Sequence, residues 1–101
     1  MADLIKAISV AVRTGKLNYG FNESLEALRA GKARLLIISE NCPIDKKEKV
    51  TSYAKILNIP WLSHKGSSYD LGSVCGKRFP VLIVAVREPG DSEILNMVKN
   101  S

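Results

Sequence analysis

Hydrophobic positions change their spacing repeatedly along this chain, and each change marks an element. Leu4, Ile5, Ile8, Ala11 and Val12 recur at helical spacing, and the segment stops at Thr14-Gly15. Lys16 to Tyr19 is a short extended piece. A helix after Asn22 carries Leu25 and Leu28 inward and ends at Gly31, a residue suited to a left-handed C-cap. Leu35 to Ser39 is an aliphatic run of strand length, the pattern of a strand covered on both faces. Asp45-Lys46-Lys47-Glu48 has capping-box spacing, with Asp in the usual Ser/Thr place. Val50, Tyr53, Ala54 and Leu57 form the inward stripe of the helix that it opens, and Asn58 and Pro60 end that helix. Trp61 to Ser63 reads as a short strand. Ser67-Ser68-Tyr69-Asp70 starts another helix, with Leu71, Val74 and Cys75 on one face and Gly76 at its end. Val81 to Val86 is a second buried strand, and Pro89-Gly90-Asp91 turns into a last helix bearing Ile94, Leu95 and Val98.

About five helices alternating with four strands predict an α/β fold, a three-layer α/β/α sandwich with a four-stranded mixed sheet. Helical crossovers favour parallel neighbours, whereas the short first strand is free to pair antiparallel. The 101 residues make one domain, residues 1–101, large enough for a core without disulfides. With 46% hydrophobic and 25% charged residues the composition is that of a soluble globular protein and excludes a disordered chain. The apolar runs are too short to span a bilayer, and the N-terminus reads as an amphipathic helix without a targeting signal. A cytosolic protein is expected.

Charge and chemistry narrow the function. The net charge of +5 favours a polyanionic partner, and without a basic tail any such binding falls to a folded surface. Cys42 and Cys75 fit no metal or redox spacing and are expected to be reduced, partly buried thiols. A single histidine, His64, cannot anchor a zinc site without several carboxylates. It reads as solvent-exposed or capping. The nucleotide-binding glycine motifs are missing, as are paired carboxylates at useful spacing and a nucleophile–base pair. No catalysis, metal or cofactor is expected.

Four segments at one end of such a sheet carry mixed chemistry: Gly20 to Ser24, Ser39-Glu40-Asn41, Leu71-Gly72, and Gly76 to Val81. Asn22 and Asn41 are amide donors and acceptors, Glu23 and Glu40 are acceptors, and Lys77 and Arg78 are cations beside the apolar Phe79-Pro80-Val81. Folded RNA with splayed bases is read by such a set: amides and carboxylates on base edges, cations on phosphates, and an apolar surface under an unstacked base. Each residue also has an ordinary role open to it. Asn22 could be an N-cap, Glu23 a favourable charge at a helix N-terminus, Asn41 a turn residue, Phe79 a core side chain, and Lys32 and Arg34 solvated charges.

The stretches YGFNESLEALRAGKARLLIISENCP, YAKILNIPW, YDLGSVCGKRFPV and EPGDSEIL closely resemble, in gapless order and nearly end to end, the thirty-e family of large-subunit ribosomal proteins of archaea and eukaryotes. That family lies in a superfamily of kink-turn RNA-binding proteins that also holds the seven-A-e group. The resemblance implies the α/β/α sandwich and a particular target: a helix–bulge–helix RNA bent sharply at tandem sheared G·A pairs. Gly20, Asn22 and Glu23 match the superfamily's Gly-x-Asn-Glu segment, which reads the guanines of those pairs. Asn41 matches the asparagine at the bulged nucleotides, and Phe79 and Val81 match the apolar positions on the extruded base. Leu71-Gly72 and Gly76 match the elements that support that loop. Asn22 departs toward the seven-A-e pattern, since thirty-e proteins often carry lysine there. Glu26 stands where seven-A-e proteins commonly have a phosphate-binding lysine, so that contact is not carried over.

The expectation is a non-enzymatic constituent of the large ribosomal subunit, cytoplasmic in the ribosome and monomeric when free. Its partner would be a ribosomal RNA kink-turn, with phosphate contacts from Lys16, Lys32, Arg34, Lys77 or Arg78. Contacts to neighbouring ribosomal proteins are left open, and no membrane or small-molecule partner is expected. Two alternatives stand beside it: a kink-turn-binding protein of a small RNA-modification ribonucleoprotein, and a protein-interaction module of the same fold.

Overall fold

A computed structural model describes residues 4–92 together with Ile94 and Leu95. Strand β2 (Leu35–Ser39) is buried at every position, because side chains that alternate along it meet helices on both sides. Leu35 and Ile37 pack with Ala7 and Ile8 of α1 (Leu4–Thr14) and with Leu71 of α4 (Ser68–Val74). Leu36 and Ile38 pack with Leu25 and Leu28 of α2 (Phe21–Arg29) and with Val50 and Ala54 of α3 (Ile44–Leu57). The sandwich therefore has α1 and α4 on one face and α2 and α3 on the other. Each aliphatic side chain removed from water in this way contributes about 1.5–3 kcal/mol.

The mixed sheet is ordered β1-β4-β2-β3. Strand β4 (Ile83–Glu88) lies in its middle, antiparallel to both β1 (Lys16–Tyr19) and β2. Strand β3 (Trp61–His64) runs parallel to β2 at the edge. Thus β1, β2 and β3 all run one way, and their C-terminal ends meet the N-terminal end of β4. The turn from Pro89 is tied to α1: the Asp91 N–H donates to Thr14 Oγ1 at 2.9 Å and Ser92 Oγ donates to the Ala7 carbonyl at 2.7 Å. Ile94 then reaches the α1 side of the core. The expected last helix otherwise falls outside the described residues, Val98 included.

Several local expectations change. The capping box forms at the start of α4, where Ser67 Oγ accepts from the Asp70 N–H and Asp70 accepts from the Ser67 N–H. It does not form at Asp45, because α3 starts one residue earlier, behind Pro43, and Asp45 stands inside its first turn with no side-chain cap. Strand β4 begins at Ile83 rather than Val81. Ile5 and Leu57, placed on inward stripes, are 53% and 42% exposed. His64 is buried instead of exposed. Both cysteines are free thiols, Cys42 half-buried and Cys75 buried, and burial pushes the Cys75 thiol up to about 11. It stays protonated at neutral pH and behaves as a small apolar side chain.

Candidate nucleic-acid interface

The common direction of β1, β2 and β3 gathers their exits at one end of the sheet, and backbone hydrogen bonds lock those exits onto the entry to β4. The Gly20 N–H donates to the Ile83 carbonyl at 2.8 Å, and the Ser39 N–H donates to the Leu82 carbonyl at 2.8 Å. Beside them the Glu40 N–H donates to the Gly66 carbonyl and the Val81 N–H to the Ser68 carbonyl. The strand exits, the start of α2, the start of α4 and the loop before β4 therefore form one surface.

The turn into α2 depends on Gly20. Its backbone, at φ 93 and ψ 167, occupies a region open essentially to glycine alone. Gly20 is itself the N-cap and has no side chain to cap with. The first hydrogen-bonded amide of the helix is that of Ser24, to the Gly20 carbonyl at 3.0 Å. The N–H groups of Phe21, Asn22 and Glu23 are thus the open donors of the first turn, and Asn22 and Glu23 are exposed beside them. Asn22 lies within the helix and is not its N-cap. A Cβ at Gly20 would meet nothing within 4 Å, so Gly20→Ala should act through backbone strain alone. We expect it to cost about 1–3 kcal/mol, seen as a lower urea midpoint at unchanged m-value.

Asn41 joins the exit of β2 to α4. Its Oδ1 accepts from the Ser68 N–H at 2.8 Å, and its Nδ2 donates to Ser68 Oγ at 3.4 Å. One carboxamide hydrogen and a further lone pair remain for a ligand. Asn41 therefore also satisfies one of the open amides at the start of α4.

The loop from Gly76 to Val81 rests on Gly72. The Lys77 N–H donates to the Gly72 carbonyl at 2.8 Å as α4 ends, the closing bond of a Schellman motif. The Phe79 carbonyl lies so close over Gly72 that a Cβ there would stand 2.2 Å from its oxygen. This loop lifts Phe79 to 54% exposure, with Arg78 exposed next to it. Lys77 lies over the Tyr19 ring, 4.5 Å from its centroid, an attraction of about 0.5–1 kcal/mol that holds the cation beside the end of β1. Val81 and Leu71 are fully buried in the core. Val81, expected at an extruded base, has its side chain buried beneath the loop, and Phe79 is the exposed apolar side chain there.

Lys32 and Arg34 do not join this surface. They precede β2, so they lie at the opposite end of the sheet with Lys16, where the Arg34 N–H donates to the Val86 carbonyl at 2.7 Å. Other residues at the recognition end were not singled out by sequence. Lys46 of α3 lies 5.4 Å from the centroid of Phe21, which puts a cation beside the first turn of α2. Ser68, through its bonds to Asn41 and Val81, joins three of the segments. The helix start read at Ser67 to Asp70 was the one signal for the Ser68 position. No sequence signal marked Lys46, because its pairing depends on how α3 packs against α2. At the ends of β2 and β3 the buried Ser39 Oγ and His64 Nε2 have no hydrogen-bond partner among the described residues.

Among the described residues no group of three or more His, Cys, Asp and Glu could hold a metal ion, and no helix is long and apolar enough to cross a membrane. The surface offers helix amides, carboxamides, one well-placed carboxylate, cations and an exposed aromatic ring. These groups converge at one end of the α/β/α sandwich. The chain belongs to the ribosomal protein L7Ae/L30e/S12e/Gadd45 family, whose model matches residues 2–96. It is 44% identical to the large ribosomal subunit protein eL30 of Methanothermobacter thermautotrophicus over 95% of this chain and 98% of that one. The eL30 of Methanobrevibacter smithii is also 44% identical, over 95% of this chain and 97% of its own. That of Methanocaldococcus jannaschii is 41% identical over 96% of this chain and 88% of its own. These relatives are ribosomal proteins and not enzymes, in line with the expectation of no catalysis.

Proposed function

We propose that the chain is a structural constituent of the large ribosomal subunit that binds ribosomal RNA and recognises a kink-turn with the strand-exit end of its sheet. The observation that carries this reading is the convergence there of the open α2 amides with Asn22, Glu23, Asn41 and the raised Phe79. In this reading the Glu23 carboxylate accepts from guanine N–H groups of the sheared pairs. A charged acceptor makes such hydrogen bonds shorter and stronger than neutral ones. The helix amides face phosphate oxygens, Asn41 meets the bulge, and the Phe79 ring packs on an extruded base. Lys77, Arg78 and Lys46 supply sequence-independent attraction. The protein would work in the cytoplasm, within the ribosome.

The test is a gel-shift titration at two salt concentrations. It compares a kink-turn RNA with a control whose sheared G·A pairs are replaced by Watson–Crick pairs. The reading expects the control to bind about a hundredfold more weakly, since each altered base pair in a specific site costs about 1–3 kcal/mol. Equal and equally salt-sensitive binding to both RNAs would reduce the surface to general electrostatics. Arg78→Ala is expected to weaken both RNAs alike and to flatten the salt dependence by about one unit of slope.

A further inference from the structure

The end of the sheet opposite the recognition surface carries a basic concavity of its own. Lys16, Gly31, Lys32, Arg34, Arg87 and Glu88 line a shallow depression of about 290 Å³. A second depression of about 180 Å³ shares Lys32 and Arg87 with it and extends to Asn18 on β1 and Glu26 on α2. Lys16, Lys32 and Arg34 are exposed, and Arg87 is half-buried.

Helix α2 ends at this place, and its last carbonyls carry about half a negative charge that one cation would offset. Four cations against Glu88, Glu26 and that half charge still leave the surface net positive. Capping the helix does not explain the cluster.

The lining also indicates what fits. Protein interfaces have an apolar core with aromatic anchors, and this depression has neither. It offers no aromatic platform for base stacking. What remains is charge and donors in a concave setting, which suits a phosphate backbone read without regard to sequence.

We propose that this end is a second RNA-binding surface that holds the phosphate backbone of an RNA helix other than the kink-turn, so that the protein bridges two RNA segments across its sheet. The bridging rests on the kink-turn reading; the second surface itself does not. The two surfaces are separated by the length of the strands, about 13 Å along β2 at the usual strand rise, plus the loops at each end. One A-form helix bound at the first surface leaves the second facing away from it.

The experiment saturates the full-length protein with unlabelled kink-turn RNA and follows a fluorescently labelled plain RNA duplex by anisotropy at low salt. Two triple variants are compared with the parent. Lys32→Ala/Arg34→Ala/Arg87→Ala removes the patch. Lys6→Ala/Lys49→Ala/Lys55→Ala removes the same charge from exposed positions on α1 and α3. The expected result is duplex binding by the saturated parent, weakened tenfold or more and with a salt slope lowered by about two to three units in the patch variant. The second variant should change binding less than threefold.

Equal weakening by both variants overturns the proposal in favour of net charge, and so does the absence of duplex binding by the parent. Tighter binding of poly-glutamate than of duplex by the saturated parent overturns it in favour of an acidic protein partner. Kink-turn occupancy is scored on a separate label. If the kink-turn does not bind, the same comparison on the free protein decides the second surface, while the first reading fails by itself.

Discussion

Replacing Glu23 by Gln should cost about 1–3 kcal/mol of kink-turn binding, the worth of a good base-edge contact, which is up to about a hundredfold in Kd. Gln keeps the length and shape of the side chain and one acceptor oxygen. It turns the other oxygen into an N–H₂ donor, which meets a guanine N–H donor head on. The loss therefore combines a missing charge-assisted bond with an unpaired donor. The control RNA without sheared pairs should respond in the opposite sense, because the variant is one unit more positive and general attraction to phosphate rises. Fold stability should fall only by about 0.5 kcal/mol, from the lost favourable charge in the first turn of α2. Measured Kd values for the two RNAs decide it: equal losses on both would remove Glu23 from base recognition.

Gly72→Ala should have an effect as large through a different route. The substitution is harmless to most helices, yet here the new methyl would stand 2.2 Å from the Phe79 carbonyl oxygen. The opposing atom belongs to the backbone, so no side chain can swing away. Either α4 shifts from the core or the loop Gly76 to Val81 lifts. The first route unseats Leu71, and the second breaks the Val81 N–H bond to the Ser68 carbonyl. We expect about 3 kcal/mol of lost stability, the upper part of the range for overpacking, together with weakened kink-turn binding at temperatures where the variant is folded. Phe79→Ala separates the two effects. Its ring is largely exposed, so it should keep the parental urea midpoint and still lose RNA affinity. Parental stability and binding in Gly72→Ala would show that the loop is not seated on this glycine.

Periodicity made the sandwich legible because the covered strands are written plainly: Leu35 to Ser39 and the aliphatic run before Arg87 have no polar face to hide. The glycine entry to α2, the end of that helix at Gly31 and the helix start at Ser67 to Asp70 were equally direct, since each depends on neighbours within a few residues. What failed was long-range. Asp45 has the spacing of a cap, but the chain enters α3 from Pro43 and places it two positions too far in, as the second residue of the helix. Val81 was read both as the start of a buried strand and as a loop residue open to a base; it is buried beneath α4, two residues before β4 begins. Lys32 and Arg34 were grouped with the recognition loops by charge. Strand direction separates them: residues that precede β1 or β2 and residues that follow them lie at opposite ends of the sheet. That the family motif positions Gly20, Asn22, Glu23, Asn41 and Phe79 share one end follows from the same rule.

The place of β4 in the sheet has a consequence for how the protein is made. A chain synthesised from its N-terminus completes β1, β2 and β3 before the strand that must enter between the first two exists. Until Leu82 and Ile83 arrive, the amides of Gly20 and Ser39 lack the carbonyls that set the turn into α2 and the exit of β2. Pairings so distant in sequence make for slow folding compared with helical bundles of this size. They also impose an order of events. The end of the sheet that carries Asn22, Glu23, Asn41 and Phe79 is not assembled until β4 has been made, so the surface proposed to bind RNA exists only once that strand is in place.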